Sequence, residues 1–138
     1  MSSVPFLPNA QALLAVVNAT PSSLHTECQC SLQRCAGWES VTESEWPSEH
    51  MRAVATLRDP ELYEPTFEEH HPQGTRYDSP EAPVSVKHFP YNRCEVLACT
   101  RCQQYVLRYT EFGGYYVDPR ARRLSASLIS PDVQMPLE

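Results

Sequence analysis

Tyr105-Val106-Leu107-Arg108-Tyr109-Thr110-Glu111-Phe112-Gly113-Gly114-Tyr115-Tyr116-Val117 is the stretch whose reading decides the fold. Side chains alternate faces along a strand. Tyr105, Leu107 and Tyr109 therefore share one face, and Val106, Arg108 and Thr110 share the other. Phe112-Gly113-Gly114 supplies a turn, because glycine accepts positive φ at little cost. Tyr115-Tyr116-Val117 returns as the partner strand. A β-hairpin is the expectation, with a last short element over Arg120 to Ile129 after Asp118-Pro119.

Upstream of the hairpin lies His88-Phe89-Pro90-Tyr91-Asn92-Arg93-Cys94-Glu95-Val96-Leu97-Ala98-Cys99-Thr100-Arg101-Cys102. It holds four nitrogen or sulfur ligands, His88, Cys94, Cys99 and Cys102. Zn²⁺ favours four such ligands in a tetrahedron. Cys99 and Cys102 have the Cys-x-x-Cys spacing that chelates one ion on a tight turn, and a hairpin follows, as in zinc knuckles. The expectation is a structural zinc site at the base of the hairpin. Gln103 stands where knuckles often carry glycine. Buried free thiols are the competing reading, since a free cysteine packs as a small hydrophobe. Redox chemistry would need a βαβ setting that is not visible. Cys28, Cys30 and Cys35 are a rival source of ligands. The adjacent His70 and His71 read as imidazoles bonded to loop backbone.

Working towards the N-terminus, Val84, Val86 and Lys87-His88-Phe89 read as strand. Glu61 to Pro83 reads as a long proline-punctuated loop, packed down by Tyr63, Phe67 and Tyr77. Ser48 to Arg58 reads as a helix, with Met51, Val54, Ala55 and Leu57 near one face. Asn9 is a plausible cap for a first helix over Ala10 to Asn18. The whole gives a single α+β domain of 138 residues. Residues 1–60 are mainly helical, 61–83 form a long acidic loop, and 84–129 form a β-rich part carrying the cysteine cluster. Short N-terminal helices pack on a small C-terminal antiparallel sheet, joined by proline-rich loops. Thirteen prolines against four glycines fit that picture, because proline cuts regular elements short.

The longest apolar run, Ala12 to Val17, is far below the roughly 20 residues that span a bilayer. No basic n-region precedes it, so a cytoplasmic address without membrane attachment is expected. There, cysteines serve as thiols or ligands more often than as disulfides. The net charge is −6, which argues against nucleic acid as the partner. The charge is unevenly spread. Glu39 to Glu81 holds eleven acids and three arginines, a balance of −8, whereas Lys87 to Arg123 holds seven bases and three acids, a balance of +4. An acidic side and a mildly basic side follow. No glycine-rich phosphate loop, nucleophile elbow or HExxH helix occurs, so no enzyme is expected.

The runs Thr56-Leu57-Arg58-Asp59-Pro60, Glu64-Pro65-Thr66-Phe67-Glu68-Glu69, Gly74-Thr75-Arg76-Tyr77, Pro90-Tyr91-Asn92-Arg93-Cys94, Leu107-Arg108-Tyr109-Thr110-Glu111 and Gly113-Gly114-Tyr115-Tyr116 resemble a family of small proteobacterial proteins. These are of the kind found beside secreted polymorphic toxins, that is, toxin immunity proteins. The likeness runs from about Trp38 to Ile129. It implies a binding protein that neutralises a cognate toxin by occluding its active site. An acidic face would steer association with a basic cleft, and Glu61, Glu64, Glu68, Glu69 and Asp78 are the expected contacts. The alternative is a zinc-ribbon-like nucleic-acid-binding or adaptor protein, in which the hairpin tyrosines stack on bases.

Overall fold

The computed structural model describes residues 4–18, 37–42, 44–63, 65–71, 73–77, 79–100, 104–112, 117–124 and 126–130. Their elements are helix α1 (Ala10–Asn18) and strands β1 (Glu39–Ser40), β2 (Met51–Thr56), β3 (Glu95–Cys99), β4 (Tyr105–Phe112) and β5 (Val117–Arg123). The five strands form one antiparallel sheet in the order β1-β5-β4-β3-β2. The α+β expectation holds at this coarse level, and β4 does pair with the strand that follows it, with Tyr109 opposite Arg120 and Phe112 opposite Val117. The return strand is corrected from Tyr115–Val117 to Val117–Arg123, which takes in the first part of the separate element expected over Arg120 to Ile129. The Gly113-Gly114 turn lies outside the described residues. No described helix is long and apolar enough to cross a membrane.

Helix α1 forms where the sequence placed it. The Asn9 side chain accepts from the Ala12 amide at 2.8 Å, satisfying one of the free donors of the first turn. Ala10, Leu13 and Val17 make the buried stripe, the spacing of one helical face. Among the described residues of the first sixty, α1 is the one α-helix. Ser48–Arg58 is corrected to a 3₁₀ turn, Ser48–His50, running into strand β2. Met51, Val54, Ala55 and Leu57 fit a helical stripe only because Val54 is the extra residue of a β-bulge, which shifts the strand's alternation by one. The expected strand at Val84–Phe89 is also corrected. It makes one isolated bridge, Val84 to Ile129, before turning. The last element is strand β5 followed by a 3₁₀ turn at Ala126–Leu128.

The sheet has two different faces. Val96, Ala98, Tyr105, Leu107 and Tyr109 project into the main core with α1, Trp38, Val84, Val86, Tyr91 and Cys94. Leu97, Val106 and Ala121 project the other way into a smaller cluster with Val41 and Trp46. Residues 5–7 run along the outer edge of β2, with Leu7 and Thr56 amides bonded to Thr56 and Pro5 carbonyls at 2.9 Å. This covers part of an otherwise open strand edge.

Arg122 stands opposite Leu107 in the β4–β5 register. The same alternation therefore aims it into the main core, where it is 0% exposed. Its guanidinium donates to the Tyr91 hydroxyl, to the Pro80 carbonyl at 3.1 Å and to the Ala82 carbonyl at 2.6 Å. These acceptors are all uncharged oxygens. A buried cation left without acceptors is severely penalised, so these contacts fix the 80–91 segment over the sheet. Burial pushes the Tyr91 phenol up to about 12, against the lowering pull of Arg122.

Arg122→Met is expected to lose about 3 kcal/mol of folding stability, because Pro80, Ala82 and Tyr91 lose a charged donor inside the core. Urea unfolding followed by circular dichroism measures this. The raised Tyr91 pKa has a signed consequence. Between pH 10 and 12 the unfolded chain gives up a proton that the folded chain retains. Stability therefore falls as pH rises through that window, by on the order of 2–3 kcal/mol. Unfolding free energies at stepped alkaline pH should show the decline, and Tyr91→Phe should flatten it.

Candidate functional site

The structure separates the expected metal ligands. Cys94 precedes strand β3 and Cys99 is its last residue, five residues on, which puts them about 16 Å apart along an extended chain. Two ligands of one zinc ion lie within about 4 Å of each other, given metal–ligand bonds of roughly 2.3 Å. Cys94 is fully buried in the main core, and its thiol donates to the Pro90 carbonyl at 3.3 Å. Burial pushes that thiol well above its ordinary pKa. It stays protonated at neutral pH, the opposite of what a metal ligand or nucleophile needs. His88 is occupied elsewhere. Its Nδ1 pairs with the Ser85 hydroxyl at 2.6 Å, and its ring stacks on His70 at 4.9 Å. Burial and the neighbouring His70 lower its pKa. Among the described residues, no three His, Cys, Asp or Glu side chains are grouped to hold a metal ion. Cys102 and the rival Cys28, Cys30 and Cys35 lie outside the described residues. Among the described residues, then, His88, Cys94 and Cys99 are not brought together, since strand β3 runs between the two thiols.

The described hairpin tyrosines, Tyr105 and Tyr109, pack into the main core. Tyr105 and Tyr109 are buried, so neither offers a face on which a base could stack. Tyr105 donates to the Val16 carbonyl of α1 at 3.2 Å. Tyr109 bonds to the Tyr77 hydroxyl and to Glu111 at 3.1 Å. Arg120 donates to Asp118 at 2.8 Å and to Tyr77 at 3.1 Å. Trp38 packs edge-on against Tyr109 at 4.9 Å and stacks on Tyr77 at 6.2 Å. Tyr115, Tyr116 and Arg101 lie outside the described residues.

What the described residues do present is the 61–69 loop. Glu61, Glu68 and Glu69 are exposed, as a partner-binding role requires. Glu64 and Asp78 lie outside the described residues. The aromatics do not all pack down as expected. Tyr77 does, but Tyr63 is 98% exposed, Phe67 62% and Leu62 50%. Among the described residues, Val117 is the one other exposed large hydrophobic side chain. The loop is nonetheless fastened from beneath by consecutive residues of one 3₁₀ turn. The Asn92 amide donates to the Thr66 carbonyl at 2.9 Å. Arg93 donates to the Pro65 carbonyl at 2.7 Å and lays its guanidinium 4.0 Å from the Phe67 ring centre. The Phe89 amide donates to the Glu68 carbonyl at 2.8 Å. Arg58 reaches the Tyr63 carbonyl at 3.3 Å. His71 bridges Glu69 at 2.7 Å and Thr75 at 2.8 Å. Below the loop lies a mainly apolar recess of roughly 300 Å³ lined by Phe6, Leu7, Leu57, Leu62, Pro65 and Val86.

Acids alternating with apolar residues were visible in the sequence over Glu61-Leu62-Tyr63 and Thr66-Phe67-Glu68. The clasp by Asn92 and Arg93 was not, because it depends on contacts about 28 residues away in the chain. No family model matches the chain, and comparison with curated proteins and with solved structures finds no match.

Cys94→Ala is expected to cost about 1 kcal/mol through lost packing. Thermal unfolding should show the same shift with and without a chelator. A chelator effect that disappears in the variant would restore Cys94 as a ligand.

Proposed function

We propose that this chain is a non-catalytic binding protein whose working surface is the 61–69 loop, and that it serves as a cytoplasmic immunity protein against a cognate toxin. One observation carries the reading. The exposed apolar side chains Leu62, Tyr63 and Phe67 are interleaved with the exposed acids Glu61, Glu68 and Glu69 on a loop held by side-chain-to-backbone bonds. Protein interfaces rest on a few aromatic anchors, with tyrosine among the commonest. Carboxylates around such an anchor suit a basic partner and raise the association rate. A loop already fixed in its bound form gives up less freedom on binding. The toxin identity of the partner rests on the family resemblance. An immunity protein blocks a cleft and needs no reacting groups of its own, which agrees with Tyr63 and its acids standing clear of the core.

Co-expression with the product of the adjacent reading frame, scored for growth, tests this. Wild-type chain is expected to restore growth, and the purified pair to form a complex. Tyr63→Ala should weaken the complex by 30-fold or more, about 2 kcal/mol. Glu68→Lys with Glu69→Lys should slow association and blunt its salt dependence. Absence of both rescue and complex formation would overturn the reading.

A further inference from the structure

A second site lies on the other side of Arg58 and Arg93, on the open half of the sheet. Thr56, Glu95 and Arg108 stand directly opposite one another across β2, β3 and β4. Their side chains therefore share one face. Thr110 follows two residues after Arg108 on the same face. The other half of this face is covered by the Trp46 cluster, and Arg108 lies 4.1 Å over the Trp46 ring. With Arg58 and Arg93, these residues line an open pocket of roughly 440 Å³.

Among the described residues, the lining holds three guanidinium groups and one carboxylate, Glu95. Two of them spend their described hydrogen bonds on main-chain carbonyls: Arg58 on Asp59 and Tyr63, Arg93 on Pro65 and Thr66. A carbonyl accepts a bond without cancelling the charge. A guanidinium has five N–H donors, so both groups retain donors as well as charge. Trp46 holds the third guanidinium plane in place through a cation–π contact. In a protein of net charge −6, a concave lining that gathers Arg58, Arg93 and Arg108 is set against the overall composition.

We propose that this pocket is an anion site for small phosphate-bearing ligands, inorganic phosphate or a phosphate monoester. A tetrahedral dianion can engage several guanidinium forks at once, and arginine is the side chain best matched to it. The Thr110 hydroxyl adds a neutral donor at the rim. The volume falls in the range of small-molecule pockets and admits a mononucleotide. The proposal does not rest on the partner-binding reading: Arg58 and Arg93 also hold the loop's main chain, but the anion would sit on the sheet face and not at the exposed tip of the loop.

Isothermal titration of the full chain at low ionic strength with inorganic phosphate, and separately with adenosine monophosphate, tests it. Saturable binding of at least one probe is expected, with sodium chloride at matched ionic strength giving none. The tighter probe identifies the ester or the free ion as the source. Arg108→Gln and Arg58→Gln should each weaken binding at least tenfold, and Glu95→Gln should tighten it severalfold by removing an opposing charge. Arg58 lies outside the core clusters, so Arg58→Gln keeps the test decisive if Arg108→Gln fails to fold. No saturable binding of either probe, or unchanged affinity in a folded Arg58→Gln chain, would overturn the proposal.

Discussion

A guanidinium shut away from water organises this protein. Arg122 enters the main core from the middle of β5 because strand alternation puts it on the face of Leu107 and Tyr109. Removing a cation from water costs several kcal/mol unless acceptors replace the lost hydration. The acceptors come from the Pro80 and Ala82 carbonyls and the Tyr91 hydroxyl. The long connection between β2 and β3 is thereby held across the sheet at its far end. Tyr91 also opens the 3₁₀ turn whose next two residues are Asn92 and Arg93. Those two bond to the Thr66 and Pro65 carbonyls. One buried charge thus reaches the exposed loop through three steps of neighbouring contact.

The same constraint explains what could be read from the chain. Alternation over Tyr105–Thr110 is a local property, and it correctly identified β4 and the shared face of Tyr105, Leu107 and Tyr109. The Asn9 cap is local too. Met51–Thr56 is local but ambiguous: a bulge at Val54 breaks the period of two, and a short apolar run then satisfies a period near 3.6 equally well. Position in the sheet decided the matter, since β2 pairs with β3 through Met51–Cys99 and Thr56–Glu95. Arg122 reads from sequence as one of several basic residues in a row. Only the register opposite Leu107 shows that it points inward, and register depends on a turn whose length the hydrophobic pattern does not specify.

The cysteines show how spacing misleads when the intervening residues are not considered. A ligand reading of Cys94 and Cys99 treats the four residues between them as a knuckle. Those residues are Glu95, Val96, Leu97 and Ala98, three of them apolar and one β-branched, and the chain uses them as an interior strand with partners on both sides. An extended strand is the arrangement that holds its two ends farthest apart. The burial that raises the Cys94 pKa follows from the same placement, because the thiol sits beside Tyr91 and Val96 in the main core.

The charge asymmetry of the sequence has a more specific form in the fold than two opposed sides. Arg58 and Arg93 lie between the acidic loop and the basic pocket and belong to both: they line the pocket and hold the loop's main chain at Tyr63 and Pro65. They contact the loop through carbonyls and not through Glu61, Glu68 or Glu69. Surface ion pairs to those acids would have neutralised the arginines and the loop together for little stability, usually under about 1 kcal/mol. Carbonyl bonds hold the loop equally well and leave both charge patterns intact. A loop fixed by its backbone keeps its carboxylates and its tyrosine available to a partner, and the arginines that fix it keep their charge available to an anion.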